Sequence, residues 1–200
     1  MRGSTLLLLG GVLGGLLWLT RSAKTSGGKA ELGPNPYPWT RPPNAPGTLA
    51  EALELAEAVA ASITEARLRK ITRSAAEAAG LDPALLWAWL VAHNDGPRYQ
   101  QPVLYGLYGP WGMGLTRFLN EATEAKALGL IAPGPDSVKD LDALIPEASA
   151  AAAAASIVRM FDTWGAGGQL GAQLSDWVAG GPGKGASWFA DRLEEGYQSW

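Results

Sequence analysis

Cysteine is absent from this chain of 200 residues, and histidine occurs once, at His93. Without cysteine the chain has neither a disulfide framework nor a thiolate metal site. A single imidazole also excludes a metal centre built from several histidines. The sequence therefore predicts a domain that needs no metal ion and no cofactor.

Charge is also sparse, with 18% charged residues and a formal net charge of -3. Nucleic-acid binders usually carry a basic patch, so we expect no nucleic-acid partner. Alternating apolar and polar residues, which mark half-buried strands, are missing as well. The periodic stretches that remain are helical, and the sequence therefore predicts an all-α domain.

A short apolar segment, Thr5–Leu19, lies between Arg2 and Arg21. As a helix it would reach about 22 Å, less than the hydrocarbon core of a bilayer at about 30 Å. Its length also fits a cleaved signal peptide, but the residues after it do not form a small-residue cleavage site. We therefore predict a retained membrane anchor over residues 1–22, with an orientation that the flanking charges leave open.

Residues 23–47 are rich in proline and glycine, with six prolines and four glycines from position 25 onward. Proline lacks the N–H that helices and central strands require, so this segment should be extended. We predict a linker that joins the anchor to a helical domain over residues 48–200. Tyr37 and Trp39 fit a docking motif or, as we favour, a linker that packs along a neighbouring surface.

Helical patterns follow one another through the predicted domain. A capping box of Thr48 and Glu51 opens a helix predicted to continue to about Ala79. The next stretch, Gly80–Gly96, reads GLDPALLWAWLVAHNDG and predicts a helix that is apolar on all sides, hence buried. After a loop rich in glycine and tyrosine, further helices are predicted at 115–128, from Pro146 through the alanine run, at 169–178 and at 187–200.

The order of these elements resembles the catalytic domain of soluble lytic transglycosylases, in the lysozyme-like superfamily. GLDPALLWAWLVA from Gly80 resembles the helix that carries the catalytic Glu of that family. GPWGMGL at Gly109–Leu115 resembles its GAMGLMQ segment, and the stretch from Phe161 to Gly185 resembles its helix followed by a GPG loop. The resemblance covers Gly80–Trp200 and implies a lysozyme-like fold with peptidoglycan as the substrate class.

Three functional positions differ from the family pattern. The catalytic Glu is replaced by His93 or Asn94, depending on a one-residue offset. The Gln of the second motif corresponds to Leu115, and the Asn of the third corresponds to Ala179 or Gly180. The resemblance therefore implies the scaffold of the family with changes in its functional residues.

Cleaving a glycan with one carboxyl group requires an acid whose pKa is raised by an apolar pocket, so that it can protonate the leaving oxygen. Asp95 is the carboxylate at this helix end, and it is one methylene shorter than Glu. His93 is the second titratable group there. Asp95 and His93 are thus the candidate catalytic residues, and the alternatives are ordinary turn chemistry for Asp95 and a helix C-terminal position for His93.

Aromatic side chains suggest a second type of site, because sugar rings stack on exposed aromatic faces. The candidate substrate-binding residues are Tyr105, Tyr108, Trp111 and Trp177. The alternative is that large aromatics fill the core of the domain. That role is expected of Trp87, Trp89 and Trp164.

Two hypotheses for function follow. The first is a membrane-anchored, peptidoglycan-degrading lytic transglycosylase-like enzyme, acting in the bacterial cell envelope facing the wall, or in cell-wall penetration from a phage virion membrane. The second is a catalytically inactive lysozyme-like domain that binds glycan or is structural in an envelope or virion. Both have peptidoglycan glycan strands, a lipid membrane contacted by residues 5–19, and other envelope or virion proteins as expected partners.

Overall fold

The computed structural model describes residues 36–99, 101–165 and 169–200. A short antiparallel hairpin of β1 (Val103–Leu104) and β2 (Leu107–Tyr108) lies midway along the described chain. A 3-10 helix at Asp140–Leu144 comes after it in the sequence. The described part is mostly helical, which confirms the prediction of an all-α domain. Its helices are α1 (Leu49–Ser62), α2 (Glu65–Ala78), α3 (Pro83–Asn94), α4 (Leu115–Ala127), α5 (Pro146–Trp164), α6 (Leu170–Val178) and α7 (Ser187–Gln198).

The helix predicted from Thr48 to about Ala79 is in fact two helices, so its predicted length is wrong. The capping box of Thr48 and Glu51 does open α1. The chain then turns extended at Ile63, with φ -71° and ψ 129°. Thr64 caps the start of α2, where its hydroxyl oxygen accepts the backbone N–H of Arg67 at 3.3 Å. The new cap competes with continuation of α1, and two consecutive β-branched residues favour the break.

The central helix α3 matches its prediction closely. Asp82 caps it by accepting the N–H of Ala84 at 2.9 Å, and Pro83 occupies the first helical turn. Every residue from Ala84 to Leu90 is buried. The helix ends where Asp95 takes a left-handed φ of 56°. Burial on all sides follows from the absence of charge along this helix.

The last helix, α7, runs antiparallel against α3. Gly196 allows the two backbones to meet, because a Cβ there would lie 2.9 Å from a Cα of α3. Near one end of α3, the hydroxyl of Tyr197 donates to Asp82 at 2.9 Å. Near the other end, Arg192 forms an ion pair with Asp95. The start of α7 therefore lies beside the end of α3, where the resemblance places the functional site.

Helix α5 is built largely of alanine, and Ala150 to Ala155 are fully buried within the domain. Alanine has the highest helix propensity, so the run forms a helix without help from long side chains. Its small side chains also allow α2 and α4 to approach closely. The core thus consists of α3 and α5 covered by the other helices.

Two aromatic residues from the predicted linker belong to the core. Trp39 forms a parallel bridge with Ile131, and the backbone N–H of Trp39 donates to Leu130 O at 2.9 Å. Tyr37 is also buried, and its hydroxyl donates to the carbonyl of Glu147 at 2.9 Å. The packed body therefore begins upstream of residue 48, the predicted domain start. The segment remains extended at Trp39 and packs along a neighbouring surface, where burial of the two aromatic side chains holds it.

Replacing Tyr37 by Phe tests this attachment. We expect the free energy of unfolding to fall by about 1 kcal/mol, because a part-buried carbonyl loses a hydrogen-bond donor while the ring stays in place. Urea unfolding followed by circular dichroism measures the change. Tyr105→Phe on the exposed hairpin turn is the matched control, expected within about 0.5 kcal/mol of the parent protein. Identical stability of all three proteins would contradict the described packing.

No helix within residues 36–99, 101–165 and 169–200 is long and apolar enough to cross a membrane. The anchor predicted at residues 5–19 lies outside the residues that the structure describes, as does the linker before residue 36. The membrane contact therefore stays a prediction from the sequence.

Candidate functional site

The end of α3 carries His93, Asn94 and Asp95 in succession. Successive helical residues are rotated by about 100° around the axis, so these side chains face three directions. The loop 109–114 covers this end of the helix, and α7 flanks it. The three residues therefore occupy different environments, and each can be judged separately as a possible acid.

Asn94 points into the protein and ties the loop to the helix. Its side-chain amide donates to Leu90 O at 2.8 Å and to Pro110 O at 2.7 Å. Both amide hydrogens thus have an acceptor, as a buried amide requires. An amide has no ionisable proton to give to a leaving group, so Asn94 cannot replace a catalytic Glu in proton transfer.

The ring of His93 lies flat against Gly112. A Cβ on Gly112 would come within 2.1 to 2.4 Å of Cε1, Nδ1 and Nε2 of the ring. Burial lowers the pKa of His93 to about 4, so the imidazole is neutral near pH 7. A neutral imidazole is a weak acid, and backbone closes over this one. The predicted catalytic role of His93 has no support in this geometry.

Asp95 lies at the surface, with 78% of its side chain exposed, and it pairs with Arg192 of α7. Its left-handed backbone ends the helix, and its N–H donates to Val91 O. A general acid that stays protonated near neutral pH requires an apolar, water-poor pocket. The solvent and the guanidinium around Asp95 provide the opposite environment. The structure therefore argues against the predicted catalytic role of Asp95.

The four aromatic candidates occupy different environments. Trp111 is fully buried and donates its indole N–H to Leu86 O at 2.8 Å, so it offers no face to a sugar. Trp177 is half-buried, in edge contact with Trp164 at 5.0 Å, and donates to Ser156 at 3.0 Å. For Trp111 the structure corrects the prediction, because the loop packs its indole beneath α3.

The two tyrosines belong to the β-hairpin. Tyr105 is 93% exposed and forms the turn with Gly106, both with positive φ. Tyr108 is half-buried on β2 and packs against the core. Only Tyr105 among the four candidates therefore presents a free aromatic surface. The structure also bears out the core positions of Trp87 and Trp89, which are fully buried, while Trp164 is half-buried.

A buried charge cluster was missed by sequence reasoning. Glu121 of α4 is fully buried, with Oε1 at 2.5 Å from Arg159 and 3.7 Å from Arg117. Burial raises the pKa of Glu121, and the two guanidiniums oppose the rise. Since its carboxylate is enclosed and paired, Glu121 holds α4 to α5 and cannot reach a substrate. The i, i+4 spacing of Arg117 and Glu121 was the available signal.

Trp188 on the first turn of α7 was also missed. It is 61% exposed, more than any other tryptophan in the described part of the chain. It lies one helical turn before Arg192, the residue that pairs with Asp95. The polar residues around it in the sequence, Asp191 and Arg192, were the signal that this indole lies outside the apolar stripe of α7.

Stability should depend on pH through His93. Its pKa is 6.5 in the unfolded chain and about 4 when folded, so the unfolded state binds the proton first as pH falls. The contribution of the neutral His93 to the free energy of unfolding is complete above pH 6.5 and is lost as the pH falls from 6.5 to 4. We expect a loss of about 2 to 3 kcal/mol at pH 4.5. Urea unfolding at pH 7.5 and 4.5 measures it, and His93→Gln should remove this part of the slope. An unchanged slope in the variant would exclude His93 as the source.

Among the described residues, no group of three or more His, Cys, Asp or Glu side chains lies close enough to hold a metal ion. The end of α3 thus brings together an amide, a neutral imidazole and a surface ion pair, beside an exposed tryptophan. These groups do not indicate a protein family. No protein-family model matches this chain, and no curated protein or solved structure matches it either.

Proposed function

We propose that this chain is a lysozyme-like domain of lytic transglycosylase ancestry that binds peptidoglycan glycan strands without cleaving them. The observation that carries the loss of catalysis is the bridge of Asn94 to Leu90 O and Pro110 O at the helix end. Peptidoglycan as the ligand class comes from the resemblance over Gly80–Trp200. Residues 5–19 anchor the domain to the membrane of a bacterial envelope facing the wall, or of a phage virion.

The chemistry of the helix end favours binding over cleavage. The position expected for the catalytic acid is occupied by Asn94, whose amide cannot act as an acid. A displacement of about 1 Å in a catalytic group can lower the rate by about 100-fold. Asp95 is one residue further along the chain, is shorter than Glu and faces solvent in an ion pair. Glu121, a carboxylate with a raised pKa, is fully enclosed. One carboxylate thus faces solvent and the other is enclosed, so neither lies in a pocket where an acid could meet a glycan.

The full chain in mild detergent can be incubated with purified peptidoglycan sacculi. We expect the protein to sediment with the sacculi, and mass spectrometry to find no anhydro-muropeptides in the supernatant. Sacculi treated with an active lytic transglycosylase serve as the positive control. Failure of the protein to sediment would reject glycan binding.

A matched pair of variants tests the loss of catalysis. If soluble products do appear and vanish in Asp95→Asn, while Asp136→Asn in an exposed loop still releases them, the protein is an enzyme with Asp95 as its acid. That result would reject the inactive domain. We expect neither variant to release soluble products, as for the parent protein.

A further inference from the structure

The start of α7 forms a surface that neither the resemblance nor the sequence assigns to a ligand. Four residues share one face of this helix at spacings of three and four: Trp188, Asp191, Arg192 and Glu195. Such spacings place side chains side by side on a helix. Asp95 joins the same surface through its ion pair with Arg192. We call these five residues the Trp188 face.

We propose that the Trp188 face binds a sugar ring of a glycan strand, with Trp188 as the stacking platform. This assignment rests on the proposed function and gives it a location. The site lies beyond the end of α3, on the outer side of the ion pair. It is separate from the half-buried His93 and the buried Asn94, so it needs no opening of the loop 109–114.

Trp188 has a ring contact, and hydrogen bonds hold the loop that precedes it. Its ring makes an edge contact with Phe189 at 5.6 Å. The preceding loop is fixed because Asp176 accepts the N–H groups of Gly183 and Gly185 at 2.9 and 2.7 Å. The hydroxyl of Ser175 lies 3.2 Å from the carbonyl at the cap of α7. A binding residue on a fixed turn loses little freedom when a ligand docks, which favours affinity.

The chemistry of the face matches a neutral, hydroxyl-rich ligand. The aromatic face carries partial negative charge, which suits the C–H groups of a pyranose ring. The face offers hydrogen-bond acceptors in Asp95, Asp191 and Glu195 and a donor in Arg192. A sugar hydroxyl, which both donates and accepts, therefore has partners for both roles. Three carboxylates against one guanidinium disfavour anionic ligands such as an anionic lipid surface or a nucleic acid. A glycan strand is therefore the occupant that fits.

The test uses β-1,4-linked N-acetylglucosamine oligomers and purified sacculi as probes, with the full chain in mild detergent. Titration calorimetry measures oligomer affinity, and sedimentation measures sacculus binding. We expect Trp188→Ala to weaken oligomer binding by about tenfold or more, as truncation of a central aromatic anchor does. Arg192→Ala should weaken it less. Leu128→Ala, another exposed apolar residue, is the matched control, and circular dichroism confirms that each variant is folded.

The outcomes separate the site from the function. If the parent protein binds and Trp188→Ala binds equally well, the Trp188 face is not the site, while the proposed function stands. If Tyr105→Ala loses binding instead, the site is the hairpin turn. If sacculus binding disappears after enzymatic removal of the stem peptides, the occupant is peptide and the sugar assignment is wrong. If the parent protein binds neither probe, the proposed function itself fails.

Discussion

Replacing Gly112 by Ala should lower the free energy of unfolding by about 2–5 kcal/mol, the sum of two costs. The first is backbone strain, because Gly112 has a φ of 57°, a left-handed conformation that costs other residues about 1–2 kcal/mol. The second is steric overlap of the new Cβ with the His93 ring, at 2.1 to 2.4 Å from three ring atoms. Overpacking of this kind typically costs about 1–3 kcal/mol.

A double-mutant cycle separates the two costs. With His93→Ala in the background the ring is gone, so Gly112→Ala should cost only the strain, about 1–2 kcal/mol. Gly106→Ala is the matched control, since Gly106 also has a positive φ of 76° but a Cβ added there would meet nothing within 4 Å. Urea unfolding at pH 7.5 measures all of these proteins. An equal cost of Gly112→Ala in both backgrounds would show that the ring does not close over this loop.

Replacing Glu121 by Leu should cost about 1–3 kcal/mol, because the part-exposed guanidiniums of Arg117 and Arg159 would lose their buried carboxylate partner. Burial lowers the pKa of Arg117 and raises that of Glu121, and the attraction between the opposite charges opposes both shifts. Arg117 retains Val178 O at 2.7 Å, but Arg159 loses its 2.5 Å contact with the carboxylate. Chemical unfolding at neutral pH measures the loss.

Two further variants identify the cause of that loss. Glu124→Leu removes an exposed carboxylate from the same helix and should change stability by less than about 0.5 kcal/mol. Glu121→Leu combined with Arg159→Leu removes the 2.5 Å ion pair and leaves Arg117 on its carbonyl acceptor, and it should recover part of the stability. If Glu121→Leu left the free energy of unfolding unchanged, the cluster would be hydrated rather than buried.

The central helix could be predicted because its signals are local. Asp82 and Pro83 mark its start, and the uncharged stretch up to Ala92 predicts burial without any knowledge of the neighbours. The break at Ile63 and Thr64 was missed because a second cap competes with an otherwise continuous helical pattern. Local patterns therefore predicted which helices form better than where the first one stops.

The candidate site was harder to predict because exposure depends on tertiary packing. Trp111 and Trp188 have the same side chain, yet the loop buries the first beneath α3 and α7 leaves the second in solvent. Trp39 lies in a proline-rich segment whose composition indicates extension but says nothing about what it packs against. The acid could not be predicted either, because three adjacent polar residues at a helix end differ in environment only once the loop and α7 are in place.

The antiparallel contact of α3 with α7 also constrains synthesis of the protein on the ribosome. Residues 84–90 are buried partly by a helix that is translated about 100 residues later. At about 5–20 residues per second, an apolar helix with two tryptophans stays without this cover for roughly 5–20 seconds. We expect nascent-chain chaperones to bind this exposed apolar helix during that interval. Stalling translation before residue 187 should therefore yield a chain that a holdase retains, and release should follow once α7 has emerged.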